Sequence, residues 1–209
     1  MKCREIICST QMDKLTSTHD IVRRVKDGDR DAFSDLFAKY RNRLAVVVHF
    51  RLGQDLRRFV DVDDVLQEAL LEAYKDIEKF EYRGPGAFMN WLARIADHVI
   101  ADLARSQGRA KRAAEVVRFR SEGNPEGPEP VDSITPSRIF RENEELAQLI
   151  AKLNKLPEDY RIAIVLAKIE GVTTRELAER LGKSSEAAAL LLHRAIKRFR
   201  TLNEASKEN

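Results

Sequence analysis

The stretch Thr173–Arg200, TTRELAERLGKSSEAAALLLHRAIKRFR, decides the fold. Its first four residues, Thr173-Thr174-Arg175-Glu176, have capping-box spacing: the Thr173 hydroxyl takes an amide three residues on, and Glu176 reaches back. This predicts a short helix with Leu177, Ala178 and Leu181 facing inward. Gly182 supplies the turn, and Ser184 or Ser185 caps a second helix whose buried face is Ala188, Leu191, Leu192, Ala195 and Phe199. A short helix, a glycine turn and a second helix ending in the basic run Arg194, Lys197, Arg198, Arg200 make a helix-turn-helix pattern. On this pattern alone, duplex DNA binding and an ordinary helical hairpin stand about even. Glycine turns are common between packed helices, and a basic helix end suits the macrodipole as well as phosphates.

Upstream of this stretch the periodicity stays helical. Leu146, Leu149, Ile150 and Leu153 open a second helical unit, Pro157 stands at the first turn of a helix through Ile169, and Gly171 stops it. SEGNPEGPEP, residues 121–130, combines proline, glycine and acid without apolar periodicity and reads as a flexible tether. Before it, Ile21, Val22 and Val25 form one short stripe, broken near Gly28-Asp29, and Phe33, Leu36, Phe37, Tyr40, Leu44, Val47 and Val48 form the next. Asp61 caps a helix with Val62, Val65, Leu66, Ala69, Ala73 and Ile77 inward. After the loop Gly84-Pro85-Gly86, a third helix buries Phe88, Leu92, Ile95, Val99 and Leu103. The expectation is an all-α chain of two small helical domains joined by a flexible linker, the C-terminal one a helix-turn-helix. The expected division is a tail at 1–19, a first domain at 20–115, a linker at 116–140, a second domain at 141–203 and a tail at 204–209.

Composition agrees. Of 209 residues, 34% are charged and 43% hydrophobic, with 9 glycines and 6 prolines, which suits well-cored helices. The net charge of +3 excludes a general nucleic-acid coat, so basic surface must be local. It is: Arg105, Arg109, Lys111, Arg112, Arg118 and Arg120 cluster at the end of the third helix, while residues 122–145 are acidic. Cys3 and Cys8 have no histidine cluster near them, which supports neither a zinc site nor a disulfide framework and fits a reducing cytoplasm. No apolar run is long enough for membrane insertion. Met12 lies just before the first periodic segment, so residues 1–11 read either as a loose tail or as a misassigned start.

The third helix is the more unusual surface. Phe80, Tyr82, Phe88 and Trp91 are concentrated around its start, and Trp91 sits one position off the apolar stripe beside Asn90. An aromatic beside polar edges can support an unstacked base. Asn90, Arg94, His98, Ala101, Arg105 and Arg109 recur at three- and four-residue steps on the side away from the core; plain solvation explains that face equally well. Asp64, Gln67, Glu68, Leu71 and Lys75 form an ordinary wet face on the second long helix. No glycine-rich phosphate loop or metal-ligand spacing is present, and His19, His49, His98 and His193 are scattered, so no catalytic constellation emerges.

Three segments together resemble region 2 of bacterial sigma factors: GDRDAFSDLFAKYRNRL (28–44), DVDDVLQEALLEAY (61–74) and GAFMNWLARIADHVIADLARSQGR (86–109). The segment from Glu145 to Arg200 resembles region 4. The ordered pair, with no room for regions 1.1 and 3, is similar to the extracytoplasmic-function (ECF) subfamily of the sigma-70 family. That resemblance implies a specificity subunit that directs promoter recognition, DNA melting and transcription initiation, without catalysis or cofactor. The implied partners are core RNA polymerase, through its β′ clamp helices and β flap, and promoter DNA, with an anti-sigma factor as a further candidate.

The resemblance also implies residue roles. Asp64, Gln67, Glu68 and Leu71 match the clamp-binding surface. The loop 81–87 with Arg83, then Asn90 and Trp91, match the part that captures a flipped non-template base, and Arg94, Asp97, His98, Arg105 and Arg109 the face that grips the minus-ten element. Arg175 on the supporting helix and Ser184, Ser185, Glu186, Ala189, His193, Arg194 and Lys197 on the recognition helix match the minus-thirty-five contacts. Here the chain departs from the family. Many relatives carry a lysine or arginine at the position of Ala189 and small polar or basic residues at those of Leu190 and Leu191, whereas Ala187 to Leu192 is an apolar run. Shape, phosphates and methyl contacts are then expected to outweigh bidentate base contacts, or Leu190 faces a protein. Two rivals remain at this level: a stand-alone helix-turn-helix regulator and, more weakly, an enzyme acting on nucleic acid.

Overall fold

The computed structural model describes residues 17–120 and 137–205, without the side chains of 54–55, 109–120 and 205. Described residues form helices and connecting turns, with no strand among them. Residues 121–136, which include the stretch 121–130 expected to be a tether, the cysteines and the side chain of Arg109 lie outside the described residues.

Three helices of the first unit begin where a side-chain oxygen accepts from an otherwise unpaired backbone amide. Ser17 accepts from the Asp20 amide at the start of α1 (Thr18–Lys26), and Asp29 accepts from the Ala32 amide at the start of α2 (Arg30–Arg51). Gly28, at φ 93°, makes the turn between them. After α3 (Gln54–Arg57), α4 (Val62–Asp76) opens with a reciprocal capping box of Asp61 and Asp64. A 3₁₀ turn at Ile77–Lys79 and the glycine loop lead into α5 (Ala87–Arg120).

The stripes read from the sequence are the ones buried. Ile21, Val22, Val25, Phe33, Leu36, Tyr40, Val65, Leu66, Ala69, Ala73, Phe88, Leu92, Ile95 and Val99 are all in the core, with Phe37 and Leu103 packed at its edge. Tyr40 carries a buried polar pair at this end, its hydroxyl 2.8 Å from that of Thr18.

The second unit starts with a single turn, α6 (Arg138–Glu142), which straddles the expected boundary between linker and second domain at residue 140; its Phe140 ring is anchored 5.2 Å from the ring of His49 on α2. Then come α7 (Glu144–Asn154), capped by Asn143, and α8 (Glu158–Ile164), with Pro157 one residue outside the helix in extended geometry. A π-helical turn at Val165–Glu170 widens the end of α8, and Gly171 at φ 80° closes it. The helix-turn-helix follows as α9 (Thr174–Leu181) and α10 (Ser185–Ala205). Its own small core is Val172, Leu177, Ala178 and Ala188.

The large core does not stop at the first unit. Ile139, Phe140, Leu146, Leu149, Leu153, Ile164, Ile169 and Phe199 belong to the same contiguous cluster as Leu36 and Leu92. This explains a feature of α2 that an amphipathic reading misses: Leu44, Ala45, Val46, Val47 and Val48 are five consecutive residues with no exposed surface. A helix buried all round needs cover on both sides. The first unit covers one side of α2, and the π turn and α7 of the second unit cover the other.

Candidate functional site

The side chains singled out from the sequence fall on three surfaces. On α4, Asp64, Gln67, Glu68 and Leu71 are all exposed along one stripe, opposite the buried Val65, Leu66, Ala69 and Ala73. Leu71 keeps 46% of its surface in solvent, and Tyr74, one turn on and not singled out from sequence, keeps 48%. The stripe therefore runs from acidic to apolar. Asp64 has a second job, because its carboxylate accepts the Asp61 amide at 3.1 Å and so helps start the helix. Neighbouring Asp63 faces inward to the second unit, accepting the Ile139 amide at 3.2 Å.

On α5 and the preceding loop, Arg94, His98 and Arg105 are exposed, and Arg105 pairs with Asp102. Arg83 is exposed and paired with Glu81 at 2.9 Å. Its guanidinium holds the Glu81 carboxyl below the usual carboxylate range. Trp91 is half-buried, its ring 5.0 Å from Phe80 and 5.5 Å from Phe88. The aromatic concentration in the sequence is thus a packed cluster that leaves part of the indole on its surface. Asp97 and Asn90 differ from the rest of the face. Asp97 is held by Arg51 at 2.6 Å, and Asn90 accepts a hydrogen bond from Arg180 of α9 at 3.0 Å.

A cavity of about 540 Å³ opens at this point. One wall is Phe80, Arg83, Asn90, Trp91 and Arg94 of the first unit; the other is Gly171, Thr173 and Glu176 of the second. It combines an aromatic face, an amide and cationic groups, the chemistry that stacks and edges a nucleobase.

In the helix-turn-helix, the Thr173–Glu176 capping box forms as the sequence spacing predicts, and Gly182 turns at φ 60°. Ser184 is the cap of α10, its hydroxyl accepting the Ala187 amide at 3.2 Å. Arg175, Ser184, Ser185, Glu186, Ala189, His193, Arg194 and Lys197 are all exposed, and Arg175 pairs with Glu179 at 3.1 Å. The Glu186 carboxyl lies below the ordinary range through its own backbone amide and the Ser184 hydroxyl. Within the apolar run, Ala188 is buried, Leu191 and Leu192 are half-buried, and Leu190 leaves 50% of its surface in solvent. The outward face of α10 is therefore alanine and leucine at its N-terminal end and histidine, arginine and lysine further on.

Sequence reading overlooked a fourth group, which joins the two units. Glu170, with its side chain only 1% exposed, bridges Arg51 at 2.6 Å and Arg180 at 2.9 Å. Burial pushes its carboxyl above the ordinary range, against the pull of the two guanidiniums. Arg43 donates to the Ile169 carbonyl from Nε at 3.1 Å and Nη2 at 2.5 Å. One signal was available: an acid at the C-terminal end of a helix opposes the macrodipole and needs a compensating partner.

Residues 15–204 match the family model described as ECF sigma factor. The chain is 33% identical over 159 residues to the ECF RNA polymerase sigma-E factor of Haemophilus influenzae, covering 76% of this chain and 80% of that protein. It is also 33% identical over 171 residues to the protein of the same name from Escherichia coli K12, covering 80% of this chain and 84% of that protein. Among solved structures, that of CnrH in complex with the cytosolic domain of CnrY aligns with a TM-score of 0.45 and 26% identity, covering 88% of this chain and 96% of that one. No described helix is long and apolar enough to cross a membrane.

Proposed function

The chain belongs to the ECF sigma factor family, a family of transcription initiation factors rather than enzymes, and from that premise we propose how its surfaces divide the work. The exposed α4 stripe of Asp64, Gln67, Glu68 and Leu71 docks on the β′ clamp helices of core RNA polymerase. Asn90, Trp91, Arg94, His98 and Arg105, with Arg83 in the loop, take the non-template strand of the minus-ten element. The second unit bears on the β flap and presents α10 to the minus-thirty-five element. Opening DNA in this scheme uses binding energy to offset unstacking, with no covalent step.

The observation that carries this reading is the separation of faces on one core. The α4 stripe and the α5 polar stripe both stay in solvent while Val65, Leu66, Leu92 and Val99 fill the space between the helices. A stand-alone duplex-binding regulator has use for α10 but none for two further dedicated surfaces on a separate helical unit. On α10, the outward Leu190 supports apolar contact with a thymine methyl, and Arg194 and Lys197 support phosphate contacts.

Transcription reconstituted from core polymerase, genomic fragments and this protein, with start sites mapped, tests the reading. Discrete starts that require both components are expected. Initiation no better than with core alone, or tight sequence-specific duplex binding by the protein without polymerase, would overturn it in favour of a regulator.

A further inference from the structure

The N-terminal half of α10 carries a pattern that phosphate binding does not explain. Ala188, Ala195 and Phe199 are buried and set the inward face of the helix. Glu186, Leu190, His193 and Lys197 follow one another at steps of four, three and four residues, so they share the opposite stripe, and all four are exposed. Around the first two, Ser185, Ala187 and Ala189 are short and also exposed. Glu186 and Leu190 therefore project from the end of the helix that a helix-turn-helix sets against base edges in the major groove.

A carboxylate in the first turn is favoured by the helix macrodipole, and in the free chain that is reason enough for Glu186. In a groove walled by phosphates the same charge is repelled, and stripping it of water without supplying a donor costs more than the macrodipole returns. The second unit offers it no relief. Among the described residues no cation pairs with Glu186, whereas Glu170 and Glu179 are each bridged by an arginine. Its own backbone amide and the Ser184 hydroxyl hold the carboxyl below the ordinary range, so it meets the groove as an anion that can only accept hydrogen bonds.

Base edges differ in what they offer such an acceptor. Guanine presents two acceptors, thymine an acceptor and a methyl group, and adenine a donor beside an acceptor; cytosine alone presents an amino donor with no acceptor next to it. We propose that Glu186 selects a cytosine in the minus-thirty-five element, accepting a hydrogen bond from its N4 amino group, beside the thymine that Leu190 meets through its methyl group. Four residues of helix rise about 6 Å, and successive bases on a strand are about 3.4 Å apart, so the cytosine lies no more than two base steps from the thymine. The carboxylate also rejects, because any other base at that step sets an acceptor against it. The inference rests on α10 facing the minus-thirty-five element, as given under Proposed function.

The experiment uses holoenzyme reconstituted from core polymerase and the full chain. Promoter fragments randomised upstream of a mapped start site are selected by binding, and sequencing gives the base preference at each position. The parent, Glu186→Gln and Glu186→Ala are compared, with circular dichroism melts confirming that each is folded. Glutamine keeps the length of the side chain and adds a donor, which suits adenine in place of cytosine.

Expected are a preference of about tenfold for cytosine at one upstream position in the parent, adenine at that position in Glu186→Gln, and no preference there in Glu186→Ala. The rest of the element should be unchanged in both variants. Identical preferences in the parent and Glu186→Gln overturn the contact, as does a parent preference for a base other than cytosine at the position that changes. A loss of preference spread evenly over the element marks a weakened helix start and overturns it too. So does a gain in affinity of Glu186→Ala for every sequence alike, which reduces the carboxylate to a repulsive charge. In each of these cases the parent still reads the element, and the placement of α10 stands. If the parent holoenzyme starts at discrete sites yet selects no upstream sequence, that placement falls, and the cytosine contact falls with it.

Discussion

Reversing the charge at Glu68 separates two jobs that acids perform along α4. Glu68 and Asp64 are both exposed on the same stripe, but only Asp64 is built into the start of the helix, where it accepts the Asp61 amide at 3.1 Å. Asp64→Lys therefore removes half of a capping box, about 1 kcal/mol, and puts a cation in the first turn, against the positive end of the macrodipole, for up to about 1 kcal/mol more. For a chain of this size each kcal/mol moves Tm by roughly 2–4 °C, so Asp64→Lys is expected to lower Tm by about 4–8 °C. Glu68 lies one turn further on, beyond the reach of the cap, and its reversal is expected to change stability by less than about 0.5 kcal/mol.

At the proposed docking surface both reversals are expected to replace an acid's attraction with repulsion if the partner face is basic, a loss on the order of 2 kcal/mol or about thirtyfold in affinity. Thermal melts followed by circular dichroism and titration of labelled protein with core polymerase read the two quantities separately. Asp64→Lys should lose in both, and Glu68→Lys in affinity alone. Normal association of Glu68→Lys would refute the docking surface. An unchanged Tm for Asp64→Lys would refute the capping argument.

Three further outcomes are expected. His49, half-buried against Phe50 and Phe140, is pushed from 6.5 to about 4 by its desolvation, with Arg57 and Arg161 adding to it. Below pH 6.5 the unfolded chain takes a proton there that the folded chain refuses, so stability falls from pH 6.5 down to about pH 4, by up to about 3 kcal/mol; His49→Leu should flatten that part of the curve in denaturant titrations. Leu190→Ser should leave stability within about 0.5 kcal/mol, since the side chain is half in solvent. It should also make upstream binding indifferent to replacing thymine with uracil, a change that weakens the parent holoenzyme; equal sensitivity in both proteins would remove the methyl contact. Lys197→Ala should reduce the slope of log affinity against log salt by about 1 without changing sequence preference, whereas a changed preference would make it a base contact.

What could be read from the chain alone follows the range of each interaction. The buried stripe of α4, the capping box at Thr173 and the turn at Gly182 depend on residues within one or two turns of each other, so their spacing suffices. The exposed status of Asp64, Gln67, Glu68 and Leu71 follows from the same periodicity. The roles attached to them do not: an exposed acid at helical spacing looks the same whether it meets water or a partner, and only family resemblance distinguished them. Long-range pairing was illegible for another reason. Arg51 and Glu170 are 119 positions apart, and neither residue's neighbours indicate which partner it will meet. The run Leu44–Val48 held a clue, since five apolar residues in succession exceed what one face of a helix can bury. Read as one more stripe, it concealed the fact that α2 is covered from both sides.

The charged groups at the seam stand beside an apolar core that the two units share. Arg51 also holds Asp97 and the Ala93 carbonyl, both on its own side of the seam. Arg180 and Glu170 stand together on the other side, paired at 2.9 Å. Each half thus holds a cation paired on its own side, and the hydrogen bonds that cross the seam include Arg51 to Glu170, Arg180 to Asn90, Arg43 to the Ile169 carbonyl and the Ile139 amide to Asp63. Gly86 and Gly171, at the closest approach, bring backbone to backbone. Were the seam built only for stability, an apolar filling at Glu170 would serve as well or better, since replacing buried ion pairs by packed hydrophobic residues is often neutral or stabilising. A carboxylate there favours one register of the two units, because it must meet both Arg51 and Arg180.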